Sequence, residues 1–314
     1  MSGPGRLSRT RICVTGGLGF IGRHLCRALA ERDYDVLCVD RALSGEEVAE
    51  PHAAGVTTVR ADVSVDPLAP LLEGADAVIH LAALPGVRTM HPLTDLWRHN
   101  AHATARLADA LGTGRRLVLA STSSVYGNAS RIPTPEDSPT SPLNPYAVTK
   151  VAAEGVSLAC ARRGADVVVC RLFTVFGPGQ RLDMAFSRWI DAVDRGRPVP
   201  WCAPPDARRE FTYVDDAVGG LAAALERGRP GEIYNLAGTG STPVRGALAE
   251  IEGLLGCRAR LSTRPAFSEA AVTAACNRKA YEELAYVPRV GLREGLERQI
   301  EAALGLLAAP LAAA

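Results

Sequence analysis

Short β-branched and apolar runs alternate with longer helical stretches through the first half of the chain, and that rhythm leaves few folds open. Arg11–Thr15, Asp35–Val39, Val56–Arg60, Ala75–Leu81, Arg115–Ser121 and Ala165–Arg171 read as strands, with Phe20–Glu31, Leu93–Leu111 and Tyr146–Arg163 as helices between them. Alternation of this kind predicts parallel strands joined by crossover helices, an α/β doubly wound parallel sheet with helices on both faces. After Arg171 the rhythm breaks at Gly177-Pro178-Gly179, Arg195–Pro198 and Ala203–Asp206, all loop signals. A smaller C-terminal α/β region is expected there, and Glu232–Leu236 reads as one more strand rejoining the sheet. The expected division is 1–175 plus about 212–238 for the sheet domain, and about 176–211 plus 239–314 for the smaller domain.

Charge excludes some functions. Thirty-five Lys+Arg against 34 Asp+Glu leave +1, so no chain-wide field would hold nucleic acid or an anionic membrane. No apolar run approaches the roughly 18 residues of a spanning helix, and Met1–Arg11 holds three arginines and no apolar segment. Neither a leader peptide nor a membrane anchor is expected. The eight cysteines are scattered, without C-x-x-C or a His at ligand spacing, so no metal site and a reduced, cytoplasmic protein are expected.

The turn after the first strand narrows the reading. Thr15-Gly16-Gly17-Leu18-Gly19-Phe20-Ile21-Gly22 follows that strand and opens the first helix. Glycines at such a turn let a pyrophosphate reach the backbone and rest on the helix N-terminus, while Gly22 allows close helix–strand packing. Asp40 closes the second strand 18 residues after Gly22, where a carboxylate accepts ribose hydroxyls and repels a 2′-phosphate. Strand, glycines and acid in register point to a Rossmann-type fold binding NAD. Arg41, beside the acid, leaves NADP as the other option.

A second constellation carries chemistry. Tyr146 and Lys150 lie four residues apart near the start of a helix, with Pro145 suited to its first turn, and so share a face. A phenol of pKa about 10 is a poor base, but a nearby ammonium and a nicotinamide's positive charge favour the phenolate. Such pairs also occur without duty. The fifth strand, however, ends in Ser121-Thr122-Ser123-Ser124-Val125-Tyr126-Gly127, at the sheet edge where ligands of open α/β folds bind. Thr122 and Ser123 can bond a sugar oxygen and relay its proton, with Tyr146 as general base and acid.

These motifs resemble the extended short-chain dehydrogenase/reductases of the NAD-dependent epimerase/dehydratase family. The likeness runs through Thr15–Gly22, Asp62-Val63, His80–Ala83, Ser121–Gly127, Tyr146–Lys150, Arg171–Arg181, Arg209–Asp216 and Tyr234–Gly238. The resemblance implies NAD held by Gly16, Gly19, Phe20, Ile21, Gly22, Asp40 and Arg41, with Asp62 and Val63 bordering the adenine. It further implies Leu81, Ala82 and Ala83 on the dinucleotide's inner face, Lys150 on the nicotinamide ribose, Asn100 supporting the site and Phe173 completing the set. Arg209 is expected to meet a substrate diphosphate. A homodimer formed through Leu93–Leu111 and Tyr146–Arg163 is implied by the same likeness.

Members of the family that dehydrate or decarboxylate usually carry an acid just before Val-Tyr-Gly; Ser124 stands there in this chain, which disfavours a 4,6-dehydratase. Phe173-Thr174 followed by Gly177-Pro178-Gly179-Gln180-Arg181-Leu182-Asp183-Met184-Ala185-Phe186 resembles the UDP-glucuronate 4-epimerases, in which the threonine and arginine hold the sugar carboxylate. Thr174 and Arg181 take those roles by resemblance, and Pro85–Arg88 places Arg88 beside the sugar. The implied reaction interconverts UDP-glucuronate and UDP-galacturonate through a transient 4-keto sugar and NADH. Alternatives are a UDP-glucose or UDP-N-acetylglucosamine 4-epimerase, a UDP-glucuronate decarboxylase, and an NAD-binding scaffold without turnover. Gly179, Leu182, Trp201–Asp206, Phe267–Glu269 and Cys276 depart from the subgroup, leaving the nucleotide base open.

Overall fold

The computed structural model describes residues 9–42, 55–85, 91–265 and 269–305. Seven strands form the central sheet: β1 (Arg11–Thr15), β2 (Asp35–Asp40), β3 (Val56–Arg60), β4 (Ala77–His80), β5 (Arg116–Thr122), β6 (Val167–Leu172) and β7 (Ile233–Leu236). Their spatial order is β3-β2-β1-β4-β5-β6-β7, and every neighbouring pair is parallel. The direction of winding reverses between β1 and β4, which opens a crevice at the carboxyl ends of those strands. The expected strands are all present, their ends within two residues of the sequence reading.

Burial on both faces explains the near-continuous apolar composition of the central strands. β4 and β6 are buried at every position. The two-residue period sorts the side chains: Ile12, Val14, Ile79, Val118, Val168 and Cys170 pack on one face with Leu25 and Leu29 of helix Phe20–Glu31 and Leu221 of helix Val214–Arg227. Cys13, Val78, Leu117, Leu119, Val167 and Val169 pack on the other with Leu107 and Ala153. Each fully buried Val or Leu contributes about 1.5–3 kcal/mol from apolar burial.

One element departs from expectation. Leu93–Leu111 is a helix broken in its middle: Leu93–Leu96 and Ala103–Leu111 are α-helical, while Trp97–His102 is wound as a π-helix. Such segments are rare and concentrate at functional sites. The turn carries Asn100, whose carbonyl accepts a hydrogen bond from the Thr104 hydroxyl at 2.6 Å. The Pro145–Arg162 helix starts as expected, with Asn144 Oδ1 accepting from the Ala147 amide at 2.9 Å and Pro145 in the first turn.

Beyond β6, Val175–Phe176 pairs parallel with Thr212–Tyr213, Arg208–Glu210 antiparallel with Ser241–Pro243, and Val199–Trp201 parallel with Leu261–Thr263. Helices Ala185–Asp194, Val244–Leu255 and Leu292–Ala303 cover these short strands. Phe176, Phe186, Trp189 and Leu248 belong to the same apolar cluster as Val168 and Cys170, so this part is fastened to the sheet and overhangs the crevice.

Among the described residues no helix is long and apolar enough to cross a membrane.

Candidate active site

A cavity of about 1070 Å³ fills the crevice. That exceeds the ~300–1,000 Å³ of a typical single-ligand pocket. Every candidate site residue named from the sequence lines it except Asn100 and Arg88. Arg88 lies outside the described residues.

The β1 turn is built for a close approach. Gly16 has φ +73°, and a Cβ there would stand 2.7 Å from the Ala82 amide nitrogen; a Cβ on Gly22 would stand 2.2 Å from the Gly16 carbonyl oxygen. These two glycines let the turn close on the end of β4 and on its own helix. Gly17 serves packing instead: its Cβ would meet the Cys38 sulfur at 2.5 Å. Gly19 caps helix Phe20–Glu31 with no side-chain bond, so the helix N-terminus points its amide dipole at the cavity.

At the end of β2, the two Asp40 oxygens accept one backbone amide each, from Leu18 at 3.1 Å and Ala42 at 3.2 Å. A carboxylate has about four acceptor sites, so capacity for a pair of hydroxyls remains. At Asp62 burial pushes the carboxyl up, but bonds from the Ser64 amide and hydroxyl (2.8 and 2.6 Å), aided by the Arg41 charge, hold it below the usual carboxylate range. Arg41 and Asp62 both line the cavity. His99 joins them with Nδ1 3.8 Å from Asp62 Oδ1. The uncapped helix end, the close-approach glycines and the acid at β2 together fit an adenine dinucleotide.

Asn100 stands behind this wall. Its amide accepts from the Leu84 N–H at 2.8 Å and donates to the Leu84 carbonyl at 3.1 Å and the Thr149 hydroxyl at 3.0 Å. The side chain thus ties the β4 loop to the helix carrying Tyr146 and Lys150, and the π turn delivers it there.

Tyr146 is half-buried and lines the cavity together with Thr122. Burial pushes the phenol up to about 12, while the Thr122 hydroxyl and the Arg181 charge pull the other way. Lys150 is buried and donates to the Ala120 carbonyl at 2.7 Å. Burial lowers its ammonium to about 8, against the pull of the Glu154 charge. Within the chain, then, Lys150 braces the end of β5 rather than the phenol, and the groups that favour the phenolate are Thr122 and Arg181. Thr122 Oγ1 also accepts from the Ser124 amide at 3.2 Å, starting the short turn Ser123–Tyr126. His80 is buried with the Thr15 hydroxyl 2.6 Å from its Nδ1, and burial, assisted by the Lys150 charge, pulls it down to about 3. It is a neutral packing residue.

On the opposite wall stand Thr174, Arg181 and Arg209. Arg181 forks onto Asp183, Nε to Oδ1 at 2.9 Å and Nη2 to Oδ2 at 2.5 Å. Arg209 donates to Glu269 Oε2 at 3.0 Å and to the carbonyls of Arg208 and Ala271. These two arginines each hold a carboxylate of the chain itself.

The family model for the NAD-dependent epimerase/dehydratase family matches residues 12–237. The chain belongs to that family. It is 35% identical over 312 residues to the uncharacterized UDP-glucose epimerase YtcB of Bacillus subtilis, covering 92% of this chain and 96% of that one. It superposes with TM-score 0.89 and 33% identity on the UDP-glucuronic acid 4-epimerase of Bacillus cereus in complex with UDP-glucuronic acid and NAD, over 95% of this chain and all of that one. It superposes with TM-score 0.87 on MoeE5, solved with UDP-glucuronic acid and NAD at 38% identity and with UDP-glucose and NAD at 37%, again over 95% of this chain and 100% of that one.

Sequence reasoning missed a buried charge network below this family site. Glu154 and Arg171, each only 4% exposed in side chain, form an ion pair at 2.7 Å with a second bond at 3.1 Å. Glu154 also accepts from the Ser121 hydroxyl, while Arg171 donates to the Glu136 carbonyl at 3.0 Å and lies over the Tyr126 ring. The available signals were a Glu one turn after Lys150 and an Arg next to the end of the apolar run Val167–Leu172. His24 meets the Pro178 carbonyl at 3.0 Å and joins the first helix to the Gly177–Arg181 loop.

Proposed function

We propose that this chain is a nucleotide-sugar 4-epimerase that interconverts UDP-glucuronate and UDP-galacturonate. The observation that carries the reading is the pairing, in one cavity, of Tyr146 and Thr122 with Arg181, whose charge is felt at the phenol. A guanidinium near the proton-transfer pair is what a sugar acid at C5 calls for. Ser124 stands where an acid would be needed to expel a C6 hydroxyl. The likeness to the Bacillus cereus epimerase and to MoeE5 supports the same substrate.

In this reading Gly16, Gly19, Asp40, Asp62 and the Leu81–Ala83 segment hold NAD. Bound NAD supplies the acceptor that takes and returns the C4 hydride and adds positive charge to the cavity. Tyr146 takes the C4 hydroxyl proton and later restores it, with Thr122 as its partner and Ser123 beside the sugar. The neutral phenol favoured by burial is the form that restores the proton. Arg209 takes the diphosphate. Arg181 and Thr174 hold the carboxylate of the 4-keto sugar, a β-keto acid that loses CO2 when its C5–carboxylate bond aligns with the carbonyl π system. Holding the carboxylate away from that alignment makes fidelity geometric.

The division into a cofactor part (1–175 plus about 212–238) and a sugar-nucleotide part (about 176–211 plus 239–314) belongs to the same proposal, as do a homodimer and a cytoplasmic location. Exposed Leu93 and Trp97 on one helix and Val148 and Val156 on the next support the dimer through that face. Eight free cysteines are in keeping with a reducing compartment.

The test is incubation of the purified protein with UDP-glucuronate, followed by NMR and mass. An axial-C4 isomer of unchanged mass supports the proposal. Loss of about 44 mass units, the mass of CO2, points to a decarboxylase, and no turnover after adding NAD overturns the reading.

A further inference from the structure

Arg181 and Asp183 are two residues apart in the loop leading into helix Ala185–Asp194, and both line the cavity. The loop is held by its own bonds: Met184 N–H to the Arg181 carbonyl at 3.0 Å, and the Ser187 hydroxyl to the Gln180 carbonyl at 2.9 Å. Within it Asp183 takes the Nε–Nη2 edge of the guanidinium with both oxygens. The pair lies in the cavity wall rather than the core, at 40% and 43% side-chain exposure. A guanidinium carries five donors, so its other edge remains for a second acceptor.

We infer that Asp183 is the residue that sets the sugar preference of this site, a built-in counter-ion that admits both a C6 carboxylate and a C6 hydroxymethyl group. The inference rests on the proposed function and deepens it. With Asp183 in place, a uronate brings a second anion to one cation, which weakens its hold. A neutral sugar meets a pair already compensated, and no lone cation is sealed in when the cavity fills. Without the Asp183 charge both effects reverse. Arg181 then offers its whole charge to a carboxylate and stands unpaired beside a hydroxymethyl group.

The test compares wild type, Asp183→Asn and Asp183→Glu, each loaded with NAD, on UDP-glucuronate and UDP-glucose, with KM from turnover and affinity from calorimetry. Asp183→Asn is expected to tighten UDP-glucuronate about fivefold and weaken UDP-glucose about fivefold, the scale of a partly exposed charge pair. Asp183→Glu is expected to keep the wild-type ratio within about threefold on the same scale. The uncompensated Arg181 charge also moves the acid limb of kcat/KM to lower pH with either sugar. Opposed shifts cannot come from a merely loosened loop, which weakens both sugars together. An unchanged ratio, or a parallel loss with both sugars, overturns the role of Asp183. Turnover of neither sugar by the wild type overturns the functional reading instead, and the two calorimetric affinities still decide the inference, absence of binding counting against it.

Discussion

Glu154→Gln isolates the buried charge network. The substitution keeps size and most hydrogen bonds but leaves the Arg171 guanidinium without a counter-ion in a site where both side chains are 4% exposed. Its other partners, the Glu136 carbonyl and the Tyr126 ring, do not neutralise it. Removing one member of a buried pair costs about 3–5 kcal/mol, against a total stability of roughly 5–15 kcal/mol. The retained hydrogen bonds place this case near ~3 kcal/mol. At ~2–4 °C per kcal/mol for chains of this size class, Tm falls by roughly 6–12 °C. Because the Glu154 charge opposes the burial that lowers the Lys150 ammonium, its loss also moves the alkaline limb of kcat to lower pH. Urea unfolding and a pH–rate profile measure both effects. A stability loss under about 1 kcal/mol, the size of an exposed pair, refutes the assignment of this network as a desolvated support for β5 and β6.

Asp40→Asn is expected to weaken NAD by at least about tenfold and to narrow the preference over NADP, read by calorimetry with both dinucleotides. Asn100→Ala, which unties Leu84 from Thr149, is expected to cost about 1–3 kcal/mol of stability and to lower kcat more than it raises KM, checked by unfolding and steady-state kinetics. Burial raises the Glu210 carboxyl to about 7, so its ionisation costs stability that is absent below pH 4.5, grows between pH 4.5 and about 7, and stays constant above that. Glu210→Gln is therefore expected to stabilise the protein by ~1–3 kcal/mol at pH 8 and by almost nothing at pH 4.5, seen by comparing unfolding at the two values.

Much of this was legible in the chain because local rules and the fold agree. The buried strands read as apolar runs, and the glycine turn, Asp40 and the Tyr146 helix fall in register with the crevice. What escaped depends on partners distant in sequence or on backbone choices that side chains do not announce. Nothing in Trp97–His102 marks a π turn, yet that turn carries Asn100 to Leu84 and Thr149. Ser121, Glu154 and Arg171 converge only once β5, β6 and the Pro145–Arg162 helix have packed. Lys150 was expected beside the phenol, but its stem follows the buried face of the helix to the Ala120 carbonyl. Asp183 was visible within a motif, but its hold on Arg181 arises only once the loop before helix Ala185–Asp194 has folded.

The central claim is that hydrogen leaves C4 and returns to the opposite face of the same sugar without reaching water. The direct measurement is turnover of UDP-glucuronate deuterated at C4, in ordinary water, with the product examined by NMR and mass. Full retention of deuterium at the axial-C4 product is expected, and its replacement by solvent protium would contradict the claim.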